Sequence, residues 1–103
     1  MKRDDAITIT KEFTDLVKEQ FPVDRVYLFG SYAINKANIG SDIDVCVVSS
    51  AFGKDYSSEE FELIKLAMKI DSRISPVPSS PQDIQNRWSQ LAHEITTHGI
   101  QIV

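Results

Sequence analysis

Residues 28–48, LFGSYAINKANIGSDIDVCVV, carry the pattern that decides the fold. The final part of this stretch, DIDVCVV, is an apolar run with two carboxylates at its beginning, and it predicts a strand that is buried on both faces. Side chains two residues apart on a strand point to the same face, so Asp42 and Asp44 should present their carboxylates together. Ile43, between them, should point the opposite way, into the core.

The two carboxylates predict a cation site by their electrostatics. Adjacent ionised carboxylates repel one another unless a cation lies between them, and oxygen ligands suit a hard ion such as magnesium. Gly30-Ser31 supplies a second feature: a glycine at a strand end lets backbone approach a ligand, and a serine at the start of a helical turn offers donors to phosphate. Taken singly, a Gly-Ser pair is more often an ordinary turn, and an Asp-x-Asp more often an exposed edge or a cap.

The rest of the chain alternates helical and strand patterns. Apolar residues at helical spacing predict a first helix that ends before Pro22 and a helix from Ser57 or Ser58 to about Ile70. A last helix is expected from Ser80-Pro81 to Gly99, and its apolar stripe consists of Ile84, Trp88, Leu91 and Ile95. Trp88 is therefore expected in the core or at a subunit interface.

Strands are expected at 23–29, 42–48, 73–77 and 100–103, and a helical turn at 31–37. Pro76 and Pro78 place the third strand at an edge of the sheet, because proline cannot donate to a strand ladder. The resulting order is α-β-α-β-α-β-α-β in one domain, residues 1–103.

Composition limits the classes of partner. The 15 acidic and 11 basic side chains give a net charge of −4 without a basic stripe, so no nucleic-acid partner is expected. The single cysteine, Cys46, excludes an internal disulfide and is expected to be a buried structural thiol. No apolar run approaches the ~20 residues that span a bilayer. The N-terminal MKRDDAIT also lacks the apolar part of a signal peptide, so we expect a cytoplasmic protein without a membrane segment.

GSYA at 30–33, followed after a short loop by SDIDV at 41–45, resembles the signature of the DNA polymerase beta-like nucleotidyltransferase superfamily. More narrowly, it resembles the small stand-alone members called minimal nucleotidyltransferases. The order of helices and strands is similar to that of the family over nearly the whole chain, although only about twenty residues match the family's sequence motifs. The resemblance implies an α/β (α+β) nucleotidyltransferase fold, in which helices flank a mixed β-sheet.

The resemblance also implies roles for the motif residues. In the family, the Gly-Ser pair contacts the triphosphate of the nucleotide and the two aspartates hold two magnesium ions. By this likeness Gly30, Ser31 and Ser41 are the expected nucleotide-binding residues. Asp42 and Asp44 are the expected catalytic residues and the ligands of Mg²⁺ (or Mn²⁺).

The chain departs from the family pattern at two positions. Asn35 stands where the loop normally has glycine, and asparagine tolerates a left-handed backbone better than most residues. A third carboxylate usually completes the site from a later strand, but the matching position here is Ser75. Asp71 lies on the same face by strand parity, about 13 Å earlier along the chain, and would need a changed register to take its place.

Two functions therefore remain open. The first is transfer of a nucleoside monophosphate, AMP from Mg-ATP, to an acceptor hydroxyl; the resemblance implies a helical HEPN-type partner protein and the role of antitoxin in a toxin–antitoxin pair. The alternative is a nucleotide- or partner-binding module with weakened catalysis, because Ser75 carries no negative charge. A homo-oligomer is also compatible with so small a domain, which buries a limited share of its surface.

Overall fold

The two predicted motifs lie on one antiparallel hairpin. The computed structural model describes all residues, 1–103. Strand β1 (Arg25–Phe29) pairs with β2 (Ile43–Val48), and this register sets Phe29 opposite Asp44. Between the strands, the chain forms a short 3₁₀ turn at Gly30–Tyr32 and then an irregular loop, so the expected helical turn is confirmed in a tighter form.

Two further strands complete a mixed, four-stranded sheet. Strand β3 (Ile74–Ser79) runs parallel to β2, and β4 (Ile100–Gln101) runs antiparallel to β1, which gives the order β3-β2-β1-β4. The helices are α1 (Arg3–Lys18), α2 (Tyr56–Met68), α3 (Pro81–Ile84) and α4 (Gln90–His98). None of them has both the length and the apolar character needed to cross a membrane.

Each face of the sheet has its own apolar core. Helices α1 and α2 cover the first face, where the largest fully buried side chains include Phe13, Val17, Leu28, Ile43, Val45 and Leu63. Helices α3 and α4 cover the second face, where the buried cluster is Tyr27, Phe29, Cys46, Val48, Ile84, Ala92 and Ile95. Strand β2 contributes to both clusters, which confirms the prediction that it is buried on both faces.

Strand β3 forms an edge that other strands cannot extend. The Ser49 N–H donates to the carbonyl of Ser79 at 3.0 Å, so the backbone groups of the odd-numbered β3 residues face β2. The backbones of Pro76 and Pro78 therefore face outward, where proline has no N–H to offer another strand. The predicted edge position is confirmed, although the strand continues through both prolines to Ser79.

The continuous last helix expected from the apolar stripe is wrong. The chain interrupts it between α3 and α4, where the Asn86 side chain accepts a hydrogen bond from the Trp88 N–H at 3.0 Å. Ser89 then starts a new helix, because its hydroxyl accepts from the Ala92 N–H at 3.1 Å. Such local side-chain bonds compete with the helical ladder. The stripe is divided accordingly: Ile84 and Ile95 are buried, Leu91 is exposed, and Trp88, which we expected in the core or at an interface, is 82% exposed.

Helix α2 also begins at a different residue than expected. Asp55, and not Ser57 or Ser58, caps it by accepting from the Ser58 N–H at 3.3 Å. The Glu59 carboxylate holds the preceding loop by accepting bonds from the N–H groups of Gly53, Lys54 and Asp55 at 2.9–3.1 Å. The alternation of helices and strands is confirmed with these changes.

Candidate active site

Gly30 brings the two predicted motifs into direct contact. Its φ is +73°, in the left-handed region that side chains rarely adopt. A Cβ atom built on Gly30 would lie 3.1 Å from Cγ of Asp44 and would collide with one of the Asp44 carboxylate oxygens. Glycine is therefore required here for two independent reasons, and the start of the 3₁₀ turn lies against the second carboxylate of the motif.

The turn after Gly30 is held by backbone bonds and leaves a hydroxyl free. The Ala33 N–H donates to the Gly30 carbonyl at 3.1 Å, and the Lys36 N–H donates to the Ser31 carbonyl at 2.9 Å. Asn35 has φ +59°, which confirms the left-handed backbone expected at this position. Ser31 is half-buried, and no protein group hydrogen-bonds to its hydroxyl. That hydroxyl can bind a ligand without breaking an internal bond.

The two carboxylates lie together at the start of β2. Asp42 is exposed immediately before the strand, and Asp44 is half-buried as its second residue. Neither carboxylate accepts a hydrogen bond from the protein or pairs with a basic side chain. Burial, and then the nearby charge of Asp42, raise the pKa of Asp44 above its ordinary value of 3.8. A cation between the two side chains would relieve this repulsion.

The donors present fit a magnesium ion that arrives with a nucleotide. Both ligands are carboxylates, and the chain has no group of three or more His, Cys, Asp or Glu side chains that could hold a metal. Magnesium is commonly bound by one or two carboxylates, with substrate phosphates and water completing its octahedral shell. The residues fit that mode, and they do not fit a metal enclosed by protein ligands alone.

Strand β3 presents an uncharged side chain beside this pair. Ser75 is the register partner of Asp44 on the parallel strand, so the two side chains leave the same face of the sheet. Its hydroxyl has no hydrogen bond within the protein. Asp71 is occupied by Arg73, whose Nη2 and Nε lie 2.7 and 3.0 Å from its oxygens. These bonds lower the pKa of Asp71 to about 2, and the structure does not bring Asp71 to the site.

Ser41 shapes the loop before the carboxylates. Its hydroxyl accepts a bond from the Asn38 N–H at 2.9 Å and donates to Asn38 Oδ1 at 3.4 Å. The Gly40 N–H donates to the same Oδ1 at 3.0 Å. These hydrogen bonds hold the loop in a tight turn immediately before Asp42. Nucleotide binding by Ser41 stays a prediction.

Arg3, in the first helix, contacts the loop, a contact that no pattern in the sequence predicted. Its Nη1 donates to the Ala33 carbonyl at 3.2 Å, just after the 3₁₀ turn. Beside the contact is a cleft of about 340 Å³, whose lining includes Lys2, Tyr32 and Asn35. Because the bond joins residues thirty positions apart, only the packing of α1 against the hairpin reveals it.

Cys46 lies on the same sheet face as Asp44 but takes no part in the site. It is fully buried under α3 and α4, and burial raises the pKa of its thiol to about 12. The thiol is therefore protonated at neutral pH and unreactive. The prediction of a structural cysteine is confirmed.

Comparison with known proteins agrees with this geometry. The family model described as a nucleotidyltransferase domain matches residues 10–87. The chain is similar to a chain in a crystal structure of a toxin–antitoxin with AMP-PNP, with 28% identity over 90% of this chain and 71% of the other, at a TM-score of 0.69. No curated protein matches the sequence.

Two further solved structures are similar. One is a structure of the tri-AMPylated HEPN toxin of Shewanella oneidensis in complex with an MNT antitoxin. A chain in it has 26% identity to this chain, over 95% of this chain and 71% of its own length, at a TM-score of 0.62. A candidate nucleotidyltransferase from Sulfolobus solfataricus shares the fold at a TM-score of 0.70, with 17% identity over 96% of this chain and 80% of the other. The resemblance to minimal nucleotidyltransferases is thereby confirmed, and the chain belongs to the nucleotidyltransferase domain family.

Proposed function

We propose that the chain transfers AMP from Mg-ATP to a hydroxyl group of an acceptor and releases pyrophosphate. The observation that carries this proposal is the contact between Gly30 and Asp44, which joins a turn with free phosphate donors to a pair of carboxylates without partners. The similar structures that contain AMP-PNP and an AMPylated toxin support adenosine as the nucleoside.

Each motif residue has a part in the proposed reaction. Ser31 binds a phosphate oxygen through its hydroxyl, while the backbone of Gly30 allows the triphosphate to approach Asp44. Asp42 and Asp44 would hold Mg²⁺ (or Mn²⁺), an ion that when bound would supply neutralisation of phosphate charge and stabilisation of the leaving group. The acceptor oxygen forms a bond to the α-phosphorus, the bond from that phosphorus to the bridging oxygen breaks, and the acceptor proton passes to water.

The proposed acceptor is a hydroxyl on a HEPN-type helical partner, with this chain acting as antitoxin. Support comes from the similar structures, which are toxin–antitoxin complexes and include a tri-AMPylated HEPN toxin. The cytoplasmic location belongs to the same proposal. A second candidate function is a binding module with weak catalysis, and the observation that favours it is the uncharged Ser75 next to Asp44.

Labelled ATP distinguishes the two functions. We would incubate the chain and a candidate HEPN-type partner with Mg²⁺ and ATP labelled at either the α- or the γ-phosphate. The proposed reaction leaves the α-label on the partner and the γ-label in pyrophosphate, and the Asp42→Asn/Asp44→Asn double variant should give neither. Nucleotide binding without transfer, restored to transfer by Ser75→Asp, would identify the binding module. Absence of any nucleotide binding would refute both.

A further inference from the structure

We infer that this active site holds one divalent cation with each bound nucleotide, and that Ser75 is the reason it does not hold a second. The inference rests on the proposed nucleotide site, but it concerns a separate property, the number of ions. It follows from the charges that surround Asp44 in the sheet, which the register of the strands determines.

Both neighbours of Asp44 across the sheet are uncharged. Phe29 lies opposite it on β1 and Ser75 lies beside it on β3. The side chain of Phe29 is a hydrocarbon ring that packs in the cluster under α3 and α4, so it offers no ligand to an ion. The only other carboxylate of the motif is Asp42, and the chain forms no cluster of three or more potential metal ligands. Two negative charges are thus the whole protein contribution to the site.

The nearest alternative carboxylate, Asp71 in the segment before β3, cannot reach the site without breaking other bonds. Asp71 makes a bidentate pair with Arg73 and accepts a further bond from the Arg73 N–H at 2.9 Å. It also lies before β3, in a turn that the Ile74 N–H closes by donating to the Asp71 carbonyl at 3.2 Å. Moving the Asp71 carboxylate to the site would break its three hydrogen bonds with Arg73.

Two negative charges favour one ion that the nucleotide itself brings. The first Mg²⁺ can combine both carboxylates with phosphate oxygens and water, which is the ligand set this ion prefers. A second ion about 3.5–4 Å away would have to share the same two carboxylates while being repelled by the first. A carboxylate at position 75 would supply both a ligand and the missing charge on the correct face of the sheet.

Mn²⁺ titration followed by electron paramagnetic resonance counts the bound ions without needing any turnover. The chain and AMP-PNP would be mixed in equal amounts, and the free Mn²⁺ signal gives the equivalents bound per chain. We expect one equivalent for the unchanged chain and two for Ser75→Asp. Ser75→Asn is the matched control, because it has the shape of aspartate without its charge, and it should bind one.

The outcomes separate this inference from the proposed function. Two equivalents in the unchanged chain would overturn the inference while leaving the nucleotide site intact. One equivalent in Ser75→Asp, with AMP-PNP bound and the melting temperature unchanged, would show that position 75 does not limit the count and would also overturn it. Failure of the unchanged chain to bind Mn²⁺ with AMP-PNP would instead refute the proposed function.

Discussion

The β1–β2 hairpin and strand β3 flank the same carboxylate, Asp44, but they differ in what they offer a nucleotide. The hairpin carries the Gly30 turn, the free Ser31 hydroxyl and both carboxylates, and these parts touch one another. Strand β3 contributes a serine on the same face. On the proposed function, nucleotide binding and the capacity for a second ion would therefore depend on different strands, and one could be altered without the other.

The two regions also differ in how tightly their parts depend on each other. In the hairpin, the Asp44 carboxylate occupies the space that a side chain at Gly30 would need. A change at either residue therefore disturbs the other. On β3, Ser75 has no hydrogen bond that a substitution would break. Substitutions should therefore have large effects in the hairpin and small or even favourable effects on β3.

The largest effect is expected from Asp44→Asn. Loss of this carboxylate removes several kcal/mol of transition-state stabilisation by the ion, so AMP transfer should fall about 10³-fold. The free chain should nevertheless become more stable at pH 7. Because the pKa of Asp44 is raised in the folded state, its ionised form destabilises the fold above that pKa, and the penalty disappears as the pH falls towards 3.8.

Melting temperatures measured from pH 7 to pH 3 check this sign. The Asp44→Asn variant should melt higher than the unchanged chain at pH 7, and the difference should shrink in acid. A variant that melts lower at pH 7 would mean that Asp44 has a stabilising partner in solution, contrary to the unpaired carboxylate described above.

Gly30→Ala is expected to have the next largest effect, and to reduce both the stability of the fold and the rate of AMP transfer. An alanine at φ +73° costs about 1–3 kcal/mol of folding free energy, and its Cβ would displace the Asp44 carboxylate. Misplacement of a reacting group by about 1 Å costs on the order of 10²-fold in rate, which is the loss expected here. Gly40→Ala is the control, since a Cβ there meets nothing closer than 3.7 Å. Equal losses in the two variants would indicate general loop damage.

A smaller effect is expected from Arg3→Ala. The hydrogen bond from Arg3 to the Ala33 carbonyl stabilises the loop after the Ser31 turn by about 0.5–1.5 kcal/mol. Because the proposed nucleotide site needs this loop in place, its loss should raise the KM for ATP about two- to tenfold while kcat changes little. Lys2→Ala removes the same charge from the same cleft without touching the loop and should leave KM unchanged. If both variants raise KM equally, the cleft acts through its charge and not through this bond.

The smallest effect on the site is expected from Asp71→Asn. Its bonds with Arg73 hold the pKa of Asp71 at about 2, so they stabilise the fold above pH 3.8 and cease to do so as the pH falls through 2. The variant should melt slightly lower at pH 7, converge with the unchanged chain in strong acid, and bind AMP-PNP equally well. Weaker nucleotide binding would assign Asp71 a role at the site that its pairing with Arg73 argues against.

The features that could be predicted from the sequence are those set by near neighbours. Alternation predicted that Asp42 and Asp44 present their carboxylates together, the family resemblance singled out Ser75, and the backbone tolerance of Asn35 was read from its residue type. The contact of Arg3 with the loop and the break at Asn86 were not predicted. The Arg3 contact depends on how α1 packs against a loop thirty residues later in the chain. The break at Asn86 depends on local side-chain hydrogen bonds, which interrupt the helix although the apolar stripe continues.

The most direct test of the account is the binding of AMP-PNP by isothermal titration calorimetry with and without Mg²⁺. We predict a single binding site in the presence of Mg²⁺ and affinity at least about 100-fold weaker in EDTA, because phosphate and carboxylates repel without the ion. The Asp42→Asn/Asp44→Asn variant should lose affinity to a similar extent, because it lacks the carboxylates that would hold the ion. Binding that is unchanged by EDTA and by loss of both carboxylates would contradict the account, since the nucleotide would then lie away from the site formed by Gly30, Ser31 and this pair.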